Sequence, residues 1–147
     1  MDPSSIEDYI TKTFDDVNVI EDDGNWFFLY DTHNRIPFAT IVTSDKYDSY
    51  SDLSRPGVFR LNIGTGKETY RSMFSVDVVP AQGGYDFTTL DIIMPHPEYG
   101  RIYWVCVLNP SPETFVTVEP MLAEAYALAV KKYQAARSAR PGRHAIR

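Results

Sequence analysis

Apolar residues Ile6, Tyr9, Ile10, Phe14 and Val17 recur at three- and four-residue spacing, which predicts one buried stripe of an N-terminal helix. Ser4, with Glu7 three residues on, supplies its N-cap and capping box. The acidic stretch EDDGN, residues 21–25, then gives a turn. Beyond it the pattern shortens to strand length. NWFFLYD and IPFATIVTS are rich in aromatic and β-branched residues, and DTHNRIP separates them as a loop or hairpin. DKYDSYSDLSRPG is polar and turn-rich, a surface excursion with room for a short helical turn. VFRLNIG alternates, with Phe59, Leu61 and Ile63 on one face and Val58, Arg60 and Asn62 on the other. It reads as a half-buried strand with a polar opposite face.

Thr65 and Glu68 form a second capping box, opening a short helix over KETYRSMF. VDVVPAQGGYDFTTLD reads as an irregular connector turning at Gly83-Gly84. RIYWVCVLN is the clearest buried strand. Ser111 as N-cap and Pro112 in the first turn then start a long helix to about Arg137, with Phe115, Leu122, Ala125, Ala129 and Tyr133 on its buried side. Pro120 either kinks this helix or marks where its regular part begins. The order predicts an α+β fold, an antiparallel sheet covered on one face by the N-terminal helix and the long C-terminal helix. Residues 1–137 form one domain and residues 138–147 a basic, flexible tail.

Length and composition agree with a single core: 147 residues, 44% hydrophobic and 14% aromatic, well above the composition of a disordered chain. Charge is uneven. The last seventeen residues, from Lys131, hold six basic and no acidic residues, so the remainder carries eight basic against twenty acidic, a net of −12. An acidic body repels phosphate backbones, which disfavours nucleic acid as a partner. The tail reads first as favourable charge at a helix C-terminus. No apolar run is long enough to span a bilayer, and residues 1–10 lack a signal-peptide pattern. With Cys106 as the only cysteine, the expected compartment is the cytoplasm.

Candidate chemistry concentrates in MPHPEYGRIYWVCVLNP, Met94 to Pro110. Cys106 lies between Val105 and Val107 and reads as a buried small hydrophobe rather than a nucleophile. His96, between Pro95 and Pro97, is held on a stiff loop with Glu98 and Tyr99 as its local partners. It reads either as an acid/base group or as a cap for backbone groups in a rigid turn. His33, His96 and His144 are scattered without paired ligand spacing, so no metal is expected, and no cofactor. NIGTGKET fails as a phosphate loop, because Leu61 and Glu68 stand where that motif needs Gly and Ser or Thr. Arg55, Arg60 and Asn62 form the main polar group. If their face coincides with one carrying Tyr103 and Asn109, opposite Trp104 and Cys106, the two would line a small-ligand pocket. A solvated face of cross-strand pairs is the alternative.

PFATIVT, RPGVFRLNIG, DFTTLDIIMPHPEYG, WVCVLNP and the segment around LAEAYALA resemble the blocks of an uncharacterised family of small bacterial proteins, up to about Lys132. More distantly the layout is similar to the MmcQ/YjbR-like proteins, an α+β sheet-and-helix sandwich. That resemblance implies matches at His96, Trp104 and Tyr126, with Tyr103 and Ala125 departing where that family has a second histidine and a serine. The leading expectation is a small-molecule-binding domain. Arg55, Arg60, Asn62 and Tyr103 would hold an organic ligand, anionic ones included, with His96 and Tyr99 beside them. The second is a cofactor-independent enzyme with His96 as proton shuttle, His96 and Tyr99 as its catalytic pair, and Arg60 stabilising developing negative charge. The third is a DNA-binding or protein-interaction module. Whether the pocket catalyses is left open. A homodimer is compatible with a sheet that has one helix-covered face.

Overall fold

The computed structural model describes residues 1–31, 36–74 and 84–139. His33, the connector through Gly83, the tail beyond Ala139 and His144 lie outside the described residues.

Helix α1 (Pro3–Thr13) is capped by Asp2, not Ser4: the Asp2 carboxylate accepts from Ser5 N at 2.8 Å, and Ser5 Oγ accepts from Asp2 N at 3.2 Å. Pro3 is the physical reason. It has no N–H to be capped and fits the first helical position, so the cap falls on the residue before it. Ile6 and Ile10 are fully buried, but the stripe ends sooner than the spacing implies. The helix stops at Thr13, Asp16 adopts φ 59°, and Val17 begins a strand.

That strand, β1 (Val17–Asp22), pairs with β2 (Asn25–Tyr30) across a two-residue turn. Asp23 (φ 56°) and Gly24 (φ 84°) both take positive φ, as a tight hairpin matched to strand twist requires. The EDDGN turn therefore joins two strands rather than a helix to a strand. Strands β3 (Ala39–Val42) and β4 (Arg60–Gly64) follow, then helix α2 (Lys67–Phe74), the short β5 (Met94–Pro95), β6 (Trp104–Leu108) and helix α3 (Pro112–Ala139). The described strands form one antiparallel sheet in the order β1-β2-β3-β4-β6-β5.

The helices share one sheet face. Ile6, Ile10, Tyr70, Phe115, Val118, Leu122 and Ala125 pack there on Phe28, Ala39, Ile41, Leu61, Ile63, Val105 and Val107. In α3, Ser111 Oγ accepts from Thr114 N at 3.1 Å, as the cap reading expects. The helix is continuous through Pro120, which lies on its exposed side. The carbonyl that loses its partner there belongs to Val116, 65% exposed, so water can satisfy it. The predicted Thr65 cap does not form. Thr65 Oγ1 donates instead to Tyr103 O (2.5 Å), while Glu124 of α3 accepts from Gly66 N and Thr69 Oγ1, both at 3.0 Å. A carboxylate from another helix thus serves the start of α2.

The opposite face is covered over β4 and β6. Residues 44–59 and 84–93 cross it and bury Val42, Leu53, Phe87, Met94, Cys106 and Leu108. Strand β4 is consequently buried on both sides, Arg60 and Asn62 included, which corrects its half-buried reading. Among the described residues no helix is long and apolar enough to cross a membrane.

Candidate functional site

Register decides which side chains meet. Arg60 pairs with Leu108, Asn62 with Cys106, and Gly64 with Trp104. In an antiparallel pair, opposed residues project to the same face. Arg60 and Asn62 therefore share their face with Trp104 and Cys106, while Tyr103 packs toward the helices beside Tyr70. The expectation that Tyr103 joins the polar face is thereby corrected: the sequence alternation exchanges the two faces of β6 relative to β4. A 3-10 turn at Gly100–Ile102, followed by Tyr103 at φ 74°, starts the regular strand only at Trp104.

The polar excursion is a folded strap. Asp45 Oδ1 accepts from Leu53 N (3.0 Å), and Arg55 donates to the carbonyls of Ser51, Asp52 and Thr88. Arg55 is spent on fixing the strap to residue 88. The strap delivers Asp48 to Arg60. That guanidinium, 1% exposed, donates through Nη1 (3.0 Å) and Nη2 (2.8 Å) to the two Asp48 oxygens, through Nη1 to Ser51 Oγ (3.0 Å) and through Nε to Asn62 Oδ1 (2.9 Å). Asn62 Nδ2 donates in turn to Thr40 Oγ1 (2.9 Å). Burial alone would raise the Asp48 carboxyl, but its hydrogen bonds to Arg60 and that residue's charge win, holding it below the ordinary value. The pair is bidentate and internally neutral.

Beside this network lies a cavity of about 490 Å³, within the usual range for small-ligand sites. Its floor is Thr40, Asn62 and Arg60; apolar walls include Phe27, Tyr47, Tyr99, Trp104 and Ile102; Asp48, His96 and Glu98 are the other polar lining groups. Tyr47 packs edge-on against Phe27 at 5.7 Å, and its hydroxyl donates to Asp22. The Tyr99 ring stands 4.8 Å from that of His96 and 6.4 Å from that of Trp104.

The His96 ring, 4% exposed, accepts at Nδ1 from the backbone N–H groups of Glu98 and Tyr99, both at 3.1 Å. Burial, and then the nearby positive charge of Arg60, push its pKa down to about 3, with Asp48 opposing. The imidazole is neutral at physiological pH, its lone pair closes the turn, and its proton is on Nε2. This is the backbone-capping arrangement.

Trp104 lies on Gly64. A Cβ at that position would stand 2.9 Å from Cε2 and 3.0 Å from Cζ2 of the indole, too close for the ring to stay. Gly64→Ala is expected to displace the ring and lower stability by about 1–3 kcal/mol, read by urea denaturation. A loss below about 0.5 kcal/mol would mean the ring is held loosely there.

Cys106 is fully buried, and its thiol donates to Pro95 O at 3.7 Å. Burial pushes its pKa up to about 12. The folded protein at about pH 8 is expected to leave a maleimide unreacted while the urea-unfolded chain is labelled fully, followed by mass spectrometry. Labelling of the native chain at a similar rate would contradict this burial.

Of the residues singled out from the sequence, Arg60, Asn62, His96 and Tyr99 line one cavity, whereas Arg55 and Tyr103 do not. Sequence reasoning misses Asp48, Thr40, Phe27 and Trp104. The FR-N alternation carries a trace of the floor, but only pairing shows that Thr40 and Phe27 share its face: Phe27 opposes Thr40, which opposes Asn62. Of His96, Trp104 and Tyr126, the first two are cavity neighbours. Tyr126 lies on the helix side, donating to Asp15 O at 2.7 Å. Among the described residues no group of three His, Cys, Asp or Glu is placed to hold a metal ion.

The model of a family of unknown function, DUF6194, matches residues 1–138, so the chain belongs to that family. No curated protein and no solved structure matches it.

Proposed function

We propose that this DUF6194 chain is a small-molecule-binding domain whose ligand occupies the cavity between β2, β3, β4 and the 96–104 segment. The observation that carries the reading is the lining itself, aromatic walls around a hydrogen-bonded polar floor. Buried polar networks rigidify a site, and a pre-formed site avoids ordering costs on binding. The expectation that the ligand could be an anion is revised. Among the described residues Arg60 is the only cationic side chain on the lining, and Asp48 already neutralises it. Acid/base catalysis by His96 gains no support, because a ring with a pKa near 3 and an occupied Nδ1 is a poor proton acceptor at neutral pH.

The distant kinship with MmcQ/YjbR-like proteins, bacterial origin and a cytoplasmic setting are part of the same proposal. They rest on the α+β layout, the sequence blocks and the lone buried cysteine. The strap covers the β4 and β6 part of the sheet face on which a homodimer would pack, which disfavours one there.

A thermal-shift screen of organic metabolites tests the reading. A ligand at about 100 times its Kd adds about 2.7 kcal/mol, and the shift is expected to vanish in Phe27→Ala and Tyr99→Ala. Stabilisation by short duplex DNA alone, or shifts untouched by both substitutions, would rule the cavity out.

A further inference from the structure

Hydrogen-bonding capacity inside the cavity is lopsided. Asn62 Oδ1 is consumed by Arg60 Nε, and Nδ2 gives one of its two hydrogens to Thr40 Oγ1. The second amide hydrogen and the Thr40 hydroxyl hydrogen are claimed by no described residue. His96 spends its lone pair on two backbone N–H groups, which leaves Nε2–H for an occupant. The Trp104 indole N–H likewise has no partner among the described residues. Both Asp48 oxygens are engaged by Arg60. Among the described residues the floor thus offers a surplus of donors, the acceptors being the exposed Glu98 carboxylate and the hydroxyl oxygens of the exposed Tyr47 and Tyr99.

Charge narrows the ligand further. Arg60 and Asp48 cancel, His96 is neutral, and Glu98 leaves the lining slightly negative. Among the described residues an anion would meet donors but no uncompensated cation, and it would lose its hydration beside two carboxylates. A cationic head bearing only N–H groups would face donors with donors.

We infer that the cavity takes an uncharged planar ring bearing hydrogen-bond acceptors, such as a ring carbonyl or amide oxygen. Those acceptors meet Asn62 Nδ2, Thr40 Oγ1 and His96 Nε2, while the ring lies among Phe27, Tyr99 and Trp104. The inference rests on the small-molecule reading and specifies its ligand class.

Benzamide, benzoate and benzamidine test it, because they share one ring and one planar head of the same size. The three differ in charge and in donor and acceptor count. In a nitrogen-15 NMR titration of the full chain, benzamide should move the Trp104 indole and Asn62 amide signals at millimolar concentrations. It should bind about tenfold more tightly than either ion. Thr40→Val, which removes this hydroxyl both as a donor to the ligand and as the acceptor of Asn62 Nδ2, should weaken benzamide about fivefold. Tighter binding of benzoate or benzamidine at the same signals overturns the ligand class while leaving the cavity a binding site. Silence of those signals with all three probes overturns the inference, and the binding reading is then decided by the thermal screen alone.

Discussion

Asp48→Ala is expected to remove about 3 kcal/mol of stability, near the lower end of the range for breaking a buried ion pair. The substitution leaves the Arg60 guanidinium, 1% exposed, with Ser51 and Asn62 as neutral partners and no counter-charge. The lower end applies because the Asp48 side chain is itself 13% exposed and water can reach the vacated position. For a chain of this size the melting temperature should drop by about 10 °C. The strap should also loosen, since Asp48 is its charged contact with the β4 guanidinium, leaving only Ser51 there. A double variant, Asp48→Ala with Arg60→Met, separates the ion pair from ordinary packing. Removing the stranded charge should recover at least about 1 kcal/mol relative to Asp48→Ala alone. Urea denaturation of the four species measures the coupling. A cost for Asp48→Ala below about 1 kcal/mol, or a double variant less stable than the single one, would mean the pair is solvated and the strap anchored elsewhere.

The second large effect is a pH dependence traceable to one ring. His96 has a folded pKa of about 3 against an ordinary value of 6.5. Between those values the unfolded chain binds a proton that the folded protein refuses, so stability rises with pH across that window. The contribution is fully present above about pH 6.5 and is lost as pH falls toward 3, at up to about 1.4 kcal/mol per unit. Between pH 7 and pH 4 this amounts to roughly 3 kcal/mol, before carboxylate protonation adds its own losses. The lowered Asp48 carboxyl acts in the same direction at lower pH: its stabilisation is present above the ordinary value of 3.8 and declines as pH falls through the folded one. His96→Asn isolates the ring. The asparagine oxygen can accept from the same two backbone N–H groups, much as in an Asx turn, and cannot be protonated. This variant should keep most of its stability at pH 7 and lose the slope between about pH 6.5 and 4.5. An unchanged slope would assign the acid sensitivity to other groups.

Elements with strong local signals were legible in the sequence. The long helix carried its cap at Ser111 and its buried stripe, and RIYWVCVLN carried an unbroken apolar run into β6. Local signals misled where two readings shared one pattern. Val17 continues the helical spacing of Ile6 and Ile10, yet Asp16 at positive φ turns the chain and makes it the first residue of β1. Ser4 and Asp2 are both good caps, and Pro3 between them decides. The candidate site was less legible because it is built from register. The alternation within β6 holds, with Tyr103 on the side of Val105 and Val107, but only the pairing with β4 shows that the Trp104 and Cys106 side is the one beside Arg60 and Asn62. Asp48 left no periodic trace, for it reaches Arg60 from an irregular strap whose polarity reads as solvent-facing. Within that largely exposed strap, Asp48 and Ser51 satisfy Arg60, and Asp45 and Arg55 satisfy backbone groups.

The seat of Trp104 on Gly64 gives the protein a built-in optical gauge. The only other tryptophan, Trp26, pairs with Ile41 and packs on the helix side of the sheet. A Trp26→Phe chain would therefore emit from the cavity wall alone. The wavelength and quenching of that emission would follow whatever enters, with no dye attached and before the occupant has been identified.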